Sequence, residues 1–364
     1  MYIYELKEWP KFEWNQQKIL NKLISVRHQQ GLLIGGMQSI GFQLREETIL
    51  DSLTDDVVKS SEIEGEILDQ SLVRSSVARY LGIQSAAASV VDRNIEGVVE
   101  MMLDATQKYD QPLTQARLFR WHRNLFPLGR SGFSKITVGE WRKTTVQVIS
   151  GSNGKEKIHF EAPPQENVEH EMAQFLNWFN DETELDLVLK AAISHLWFLT
   201  IHPFEDGNGR IGRAILDLLL ARSEASSHRF YSLSAQIQKE RKEYYSILEV
   251  SQKDGLDISV WINWLLSCLG RAIEGARSSF GFILRKKLFW EALDQAIINE
   301  RQRKVLNLLL DEFEGNLTTM KWAKIAKCSQ DTAYRDILNL LDQGILKKNP
   351  EGGRSASYSL SATF

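Results

Sequence analysis

At 364 residues the chain is too long for one ordinary domain and predicts two or three units, each with a core of its own. A hydrophobic share of 43%, a charged share of 25% and a formal net charge of −3 exclude a disordered chain and a protein that coats a polyanion. Cys268 and Cys328 are the only cysteines, which excludes a disulfide framework or a zinc site on paired cysteines and fits a reducing compartment.

The opening MYIYELKEWPKFEW shows no basic leader followed by an apolar stretch, and no window approaches the roughly 20 apolar residues of a bilayer crossing. A cytoplasmic protein without a membrane partner is the expectation. Residues 1–85 read as an N-terminal helical domain whose aromatic residues Tyr2, Tyr4, Trp9, Phe12 and Trp14 pack it together. Within it, Ser60-Ser61-Glu62-Ile63-Glu64-Gly65 places Ser60 and Glu64 on one helix face, with Gly65 allowing close approach. Glu62, Glu64 and Glu66 also fit a plain solvated acidic helix.

Farther along, 144–149 and 157–160 are short and β-branched, and Gly151-Ser152-Asn153-Gly154 between them predicts a hairpin turn. Six of the seven prolines precede residue 204, and the next is Pro350. The stretch between is free to be helical, and Ile211, Ile215, Leu218 and Leu219 recur at helical spacing, as do Ile247, Val250, Trp261 and Leu265 in later segments. The fold class expected is mainly α.

One segment carries chemistry. His202 to Arg213 reads HPFEDGNGRIGR, with an imidazole, two carboxylates, a Gly-Asn-Gly turn and two arginines in twelve residues. Gly207 and Gly209 let main-chain N–H groups approach an anion, and a helix starting near Arg210 points its positive end the same way. Arg210 and Arg213, three apart, share a helix face and can hold polyphosphate oxygens. Asp206 beside them suits Mg²⁺, which needs only one or two protein carboxylates. His202, with an ordinary pKa near ~6.5, suits removal of a proton from an attacking hydroxyl. Phe204 and Ile211 read as core anchors. Each residue alone reads as an ordinary turn or surface pair, and it is their density that points to a site. The spacing is neither that of a P-loop nor that of a dinucleotide fold.

HPFEDGNGRIGR matches the HxFx(D/E)GNGRxxR signature of the Fic family at every defined position, so the chain resembles that family. The resemblance implies a helical catalytic domain over 86–284, with the motif at the loop and helix start between two central helices and a β-hairpin flap. It implies transfer of AMP from ATP, with Mg²⁺, to a Ser, Thr or Tyr hydroxyl of a target protein, itself included. His202 would be the base, Asp206 the metal ligand and Asn208 a contact to the α-phosphate. Gly207 and Gly209 would line the anion hole, and Arg210 and Arg213 would place the β- and γ-phosphates. Some relatives transfer other phosphate-containing groups, so the residues alone do not choose AMP.

Three further segments resemble the family. Gly139-Glu140-Trp141-Arg142 with Val146 and Val148 is similar to the approach to the flap, which aligns a target segment by strand addition. ERKEYYSIL, residues 240–248, is similar to the helix lining the adenine pocket, with Tyr245 as the contact and Gln252 as a partner one to two turns on. Ser60 and Glu64 fit the inhibitory (S/T)xxxE(G/N) motif. Glu64 would pair with Arg213 and leave ATP in a pose unfit for in-line attack. In some relatives this glutamate also helps remove AMP, so de-AMPylation stays open, as does a homodimer.

Residues 285–364 form the last expected module. Helices over 317–326 and 329–344, followed by a hairpin over 347–360 containing Gly352-Gly353, resemble a winged helix-turn-helix with 331–341 as recognition helix. From 320 to 364 there are seven Lys/Arg against four Asp/Glu, only mildly basic. DNA binding and protein contact both stay open. The competing reading of the whole chain is an ATP-sensing DNA-binding regulator with a self-modifying Fic domain.

Overall fold

Apolar residues at helical spacing build most of this chain into helices. The computed structural model describes residues 1–38, 42–83, 92–150, 157–253, 255–293, 298–311, 313, 315–350 and 356–361. The turns expected at 151–154 and 352–353 lie outside the described residues. The chain divides into two units, Met1–Arg277 and Ser278–Phe364. Among the described residues no helix is long and apolar enough to cross a membrane.

The first unit holds α1 (Gln16–Gln38), α2 (Phe42–Ile63), α3 (Gln70–Leu81), α4 (Arg93–Gln107) and α5 (Gln115–Leu125). Two short hairpins follow, β1 (Arg130–Ser131) with β2 (Ser134–Lys135) and β3 (Gln147–Ser150) with β4 (Lys157–Glu161). Then come α6 (Val168–Asp181), α7 (Leu187–Ile201), α8 (Asn208–Glu224), α9 (Leu233–Lys239), α10 (Arg241–Ser251) and α11 (Ser259–Ala292), the last with residues in both units. Side-chain caps fix several starts: Asp69, Thr114, Asp186 and Ser232 each accept a hydrogen bond from an N–H in the first turn that follows.

The centre is the pair α7 and α8. Every residue of α7 from Val188 to Ile201 is buried, as expected of a helix that is apolar on all sides. The N-terminal helical region expected over 1–85 lies within this unit, and its α2 packs on α8 and α9 as well as on α3 and α4. A buried ionic cluster reinforces that packing. Arg229 pairs with Asp217 of α8 at 2.9 Å, and Asp56 of α2 accepts from the Ser232 hydroxyl at 2.5 Å and the Ser234 N–H at 3.3 Å. Burial raises the pKa of Asp56, and the nearby Asp217 raises it further.

Gly97 marks a close helix contact, since a methyl group there would lie 1.8 Å from the Asn124 carbonyl oxygen where α4 meets α5. Backbone cannot yield as a flexible side chain does. Gly97→Ala is therefore expected to lower stability by about 1–3 kcal/mol or more, read as an earlier midpoint in urea unfolding. An unchanged midpoint would remove this contact from the account.

The second unit has α12 (Glu300–Leu310), β5 (Leu317–Thr318), α13 (Thr319–Ala326), α14 (Gln330–Asp342), β6 (Leu346–Lys348) and β7 (Ser357–Leu360). Its sheet order is β5-β7-β6 around a core that includes Val305, Leu306, Trp322, Ile337, Leu340 and Tyr358. Leu317 and Thr318, expected as the start of a helix, instead pair with Tyr358 and Ser357 as a strand. Thr318 then caps α13, which is why the helix begins at Thr319, two residues later than expected.

Candidate active site

α7 ends at Ile201, and His202 takes a left-handed backbone conformation, φ 52 and ψ 59, that turns the chain out of the helix. Its N–H still closes the helix on the Phe198 carbonyl at 3.0 Å. Nδ1 lies 3.2 Å from the Leu199 carbonyl, which can only accept, so Nδ1 carries the proton and Nε2 keeps a lone pair. The ring is half-buried. Burial lowers its pKa to about 4; the Leu199 bond opposes this, Arg142 assists it, and the Glu64 and Asp206 carboxylates oppose it. The imidazole is thus neutral and able to accept a proton at neutral pH.

The loop after His202 is braced on both sides. Phe204 is buried and stacks on His122 at 4.1 Å with 8° between the rings. Asn208 clasps Phe204, its Oδ1 accepting from the N–H at 3.0 Å and its Nδ2 donating to the carbonyl at 2.8 Å. Asn208, tied by resemblance to the α-phosphate, keeps its second Nδ2 hydrogen and its main-chain N–H for that task. Glu205 accepts from the N–H and hydroxyl of Thr137 at 2.9 and 3.0 Å. Gly207 has φ 83, and a methyl there would meet Phe126 at 2.9 Å. α8 then starts at Asn208 with no side-chain cap from Gly207, and the N–H groups of its first turn give the recess a positive end.

Asp206 accepts from the Gly207 N–H at 2.5 Å and from the Ser131 hydroxyl of β1. Among the described residues no group of three or more His, Cys, Asp or Glu could hold a metal by itself. A single half-buried carboxylate beside an anion recess nevertheless fits Mg²⁺ brought in with a polyphosphate, because that ion keeps waters and phosphate oxygens as most of its ligands.

The recess is filled by the chain itself. α2 ends at Ile63, so Glu64 lies beyond the helix rather than on the face it was expected to share with Ser60. Gly65 has φ 87, and bonds from its N–H to Glu62 O and from the Glu66 N–H to Ser61 O, both 3.0 Å, fold the chain back. Glu64 Oε1 thereby comes 2.8 Å from Arg213 Nη1. Arg213 is fully buried, and Ser60 takes its other donors, Oγ from Nε at 2.9 Å and the carbonyl from Nη2 at 2.7 Å. A methyl on Gly209 would lie 2.0 Å from Glu64 Oε1, so the carboxylate sits directly over the glycine. Tyr245 of α10 donates weakly to Glu64 Oε2 at 3.4 Å and to Ile63 O at 3.3 Å.

Glu66, read from the sequence as part of a solvated acidic face, bonds Arg210. Two residues apart on a helix, Glu64 and Glu66 would diverge; past the end of α2 both reach α8. Only the glycine at 65 hinted at this. Arg210 Nε has no hydrogen-bond partner among the described residues, leaving a buried donor to spare.

The hairpin β3–β4 stands beside His202. Gln147 pairs with Glu161 and Val148 with Phe160, and Ala162 N–H donates to Val146 O at 3.0 Å. Tyr2 and Tyr4 pack on Phe160, Phe160 lies 6.4 Å from the His202 ring, and the Tyr4 hydroxyl donates to Glu161 O at 3.0 Å. His159 pairs with Glu249 of α10 at 2.6 Å. Gln252, expected to accompany Tyr245, is buried, its amide donating to Thr200 Oγ1 at 3.3 Å.

The sequence profile of the Fic/DOC family matches residues 112–220, a span that contains α5, both hairpins, α7 and His202 to Arg213. The chain carries a Fic/DOC family domain. Residues 2–83 match a domain of unknown function, DUF4172. Glu64 and Glu66 thus reach the Fic loop from outside the Fic match, and Tyr245 also lies beyond it. A probable protein adenylyltransferase of Aquifex aeolicus is 27% identical over 164 residues, 45% of each chain. Protein adenylyltransferase Fic of Nematostella vectensis is 24% identical over 276 residues, 74% of this chain and 58% of the relative. The chain spans about half the length of the curated relatives it matches. A crystal structure of a Fic family protein from Desulfovibrio desulfuricans shares the fold, with TM-score 0.53 at 20% identity over 94% of this chain and 96% of that one.

Proposed function

We propose that the protein is an adenylyltransferase that moves AMP from ATP to a Ser, Thr or Tyr hydroxyl of a protein, itself included, and that it rests in an inhibited state. The observation that carries this is one recess in which His202 Nε2 keeps its lone pair while two carboxylates of the same chain hold the arginines of a polyphosphate cradle. Carboxylates on paired guanidinium groups stand where phosphate oxygens would bind.

In the reaction, Nε2 takes the proton of the acceptor hydroxyl as its oxygen attacks the α-phosphorus. The bond to the bridging oxygen breaks, and pyrophosphate leaves with its charge held by Arg210 and Arg213. N–H groups at the start of α8 face the charge that develops on the α-phosphate. Asp206 would hold Mg²⁺, which supplies neutralisation of the phosphate charge. The β3–β4 hairpin offers an edge on which an extended acceptor segment adds as a strand. Tyr245 would contact the adenine once Glu64 gives way.

We read the second unit as a winged helix-turn-helix with α14 as the recognition helix, a reading supported by its order of helices followed by paired strands and by the sheet order β5-β7-β6. That helix exposes Tyr334 and Leu338 one turn apart, an apolar pair on its outer face, so we assign it to protein contact rather than DNA readout. Binding to duplex DNA that weakens steeply with salt would reverse this assignment.

Intact-mass spectrometry of purified Glu64→Gly protein with Mg-ATP tests the central reading. An added adenylyl group is expected. A phosphoryl or pyrophosphoryl gain would replace AMP as the transferred group, and no gain with any nucleoside triphosphate would remove the enzymatic reading.

A further inference from the structure

One buried side chain joins the hairpin to His202. Arg142 lies between β2 and β3 and is 2% exposed. Its Nε donates to the His202 carbonyl at 2.8 Å, Nη1 to the Thr144 carbonyl at 2.9 Å and Nη2 to the Pro163 carbonyl. Its own main-chain N–H donates to the Pro203 carbonyl at 2.9 Å. Thr144 stands ahead of β3 and Pro163 follows β4. One guanidinium therefore holds both roots of the hairpin and the turn out of α7.

A buried cation usually lies against a carboxylate, because a buried charge without a counter-charge is costly. Among the described residues Arg142 has no carboxylate within ion-pair distance, and burial pulls its pKa down. Three diverging carbonyls need a planar fork of donors, which lysine's single ammonium cannot match. What needs holding is His202. A non-glycine residue in the left-handed region is strained, and it persists only where its surroundings over-determine it. Arg142 supplies that support from two sides, through the His202 and Pro203 carbonyls.

We propose that Arg142 is a positioning residue for acceptor transfer: it locks both roots of the β3–β4 hairpin and the main chain of His202 into one body, so that a segment paired to the hairpin brings its hydroxyl into register with Nε2. This rests on the transfer function proposed above, and one arm of its test is independent of transfer. The cradle for ATP is built by α8, which Arg142 does not touch, so the substitution separates transfer from nucleotide binding.

The experiment uses the full chain in the Glu64→Gly background with Arg142→Lys, Arg142→Gln and Arg142→Ala. Self-modification is expected to fall about 100-fold for the Lys and Gln variants, the cost of roughly 1 Å of misplacement, while the Kd for Mg-ATP stays within about twofold. Guanidinium ion should restore transfer to Arg142→Ala, and ammonium ion should not. Hydrogen exchange at the amides of β3 and β4 should quicken in Arg142→Lys. Full transfer activity in Arg142→Lys, or loss of transfer and ATP affinity together, would overturn the role. If the Glu64→Gly parent transfers nothing, the proposed function fails, and exchange in the hairpin still decides whether Arg142 clamps it.

Discussion

Glu64→Gly is expected to raise self-modification by about 10–100-fold, because a hydrogen-bonded contact to a charged group is worth about 1.5–3 kcal/mol and each 1.4 kcal/mol is tenfold. The geometry explains why the gain needs no rearrangement. Ser60 holds two donors of Arg213 through Nε and Nη2, so removal of Glu64 leaves the guanidinium in place with Nη1 free for the γ-phosphate. The same substitution clears the space over Gly209. Glu66 remains on Arg210, however, so release is incomplete. Its side chain is 40% exposed and its ion pair is weakened by solvent, so Glu66→Ala alone should activate only a few-fold, about what a pair worth up to 1 kcal/mol allows. The double variant should exceed Glu64→Gly. Initial rates of radiolabel incorporation from ATP decide this: equal rates in unsubstituted and Glu64→Gly protein would end the autoinhibitory account, and stronger activation by Glu66→Ala would move control to Arg210.

The site was legible in the sequence only as far as its parts are contiguous. His202 to Arg213 stands out because an imidazole, glycines and arginines that serve one recess also follow one another along the chain. Glu64 became visible through its resemblance to an inhibitory motif, since a carboxylate 149 residues upstream of Arg213 carries no local mark of its partner. Glu66 was not visible, because helical periodicity put it on another face, and the turn at Gly65 that brings it round depends on where α2 stops. Arg142 was seen only as part of a flap segment; its partners are carbonyl oxygens, which every residue possesses. The mainly helical fold followed from spacing and from the missing prolines. Leu317 and Thr318 escaped because two residues are too few to show a period, and their strand is fixed by Ser357 and Tyr358.

His202→Ala should reduce transfer by about 100- to 10,000-fold, the range typical of a positioned general base, in both the unsubstituted and the Glu64→Gly backgrounds. Affinity for Mg-ATP should survive, since α8, Arg210 and Arg213 are untouched. The pH dependence tests the assignment more sharply. The neutral imidazole is the active form and its pKa is lowered to about 4, so the rate should hold as pH falls through 6.5 and be lost only near 4. Burial and Arg142 favour the neutral ring, whereas Glu64 and Asp206 favour the charged one. Glu64→Gly removes one of the two opposing carboxylates, so its acid limb should lie lower still. Rates measured from pH 8 down to about 3 in that variant, at saturating ATP, give the answer. An acid limb near 6.5 would mean that the proton acceptor is a group other than the enclosed ring held on Leu199.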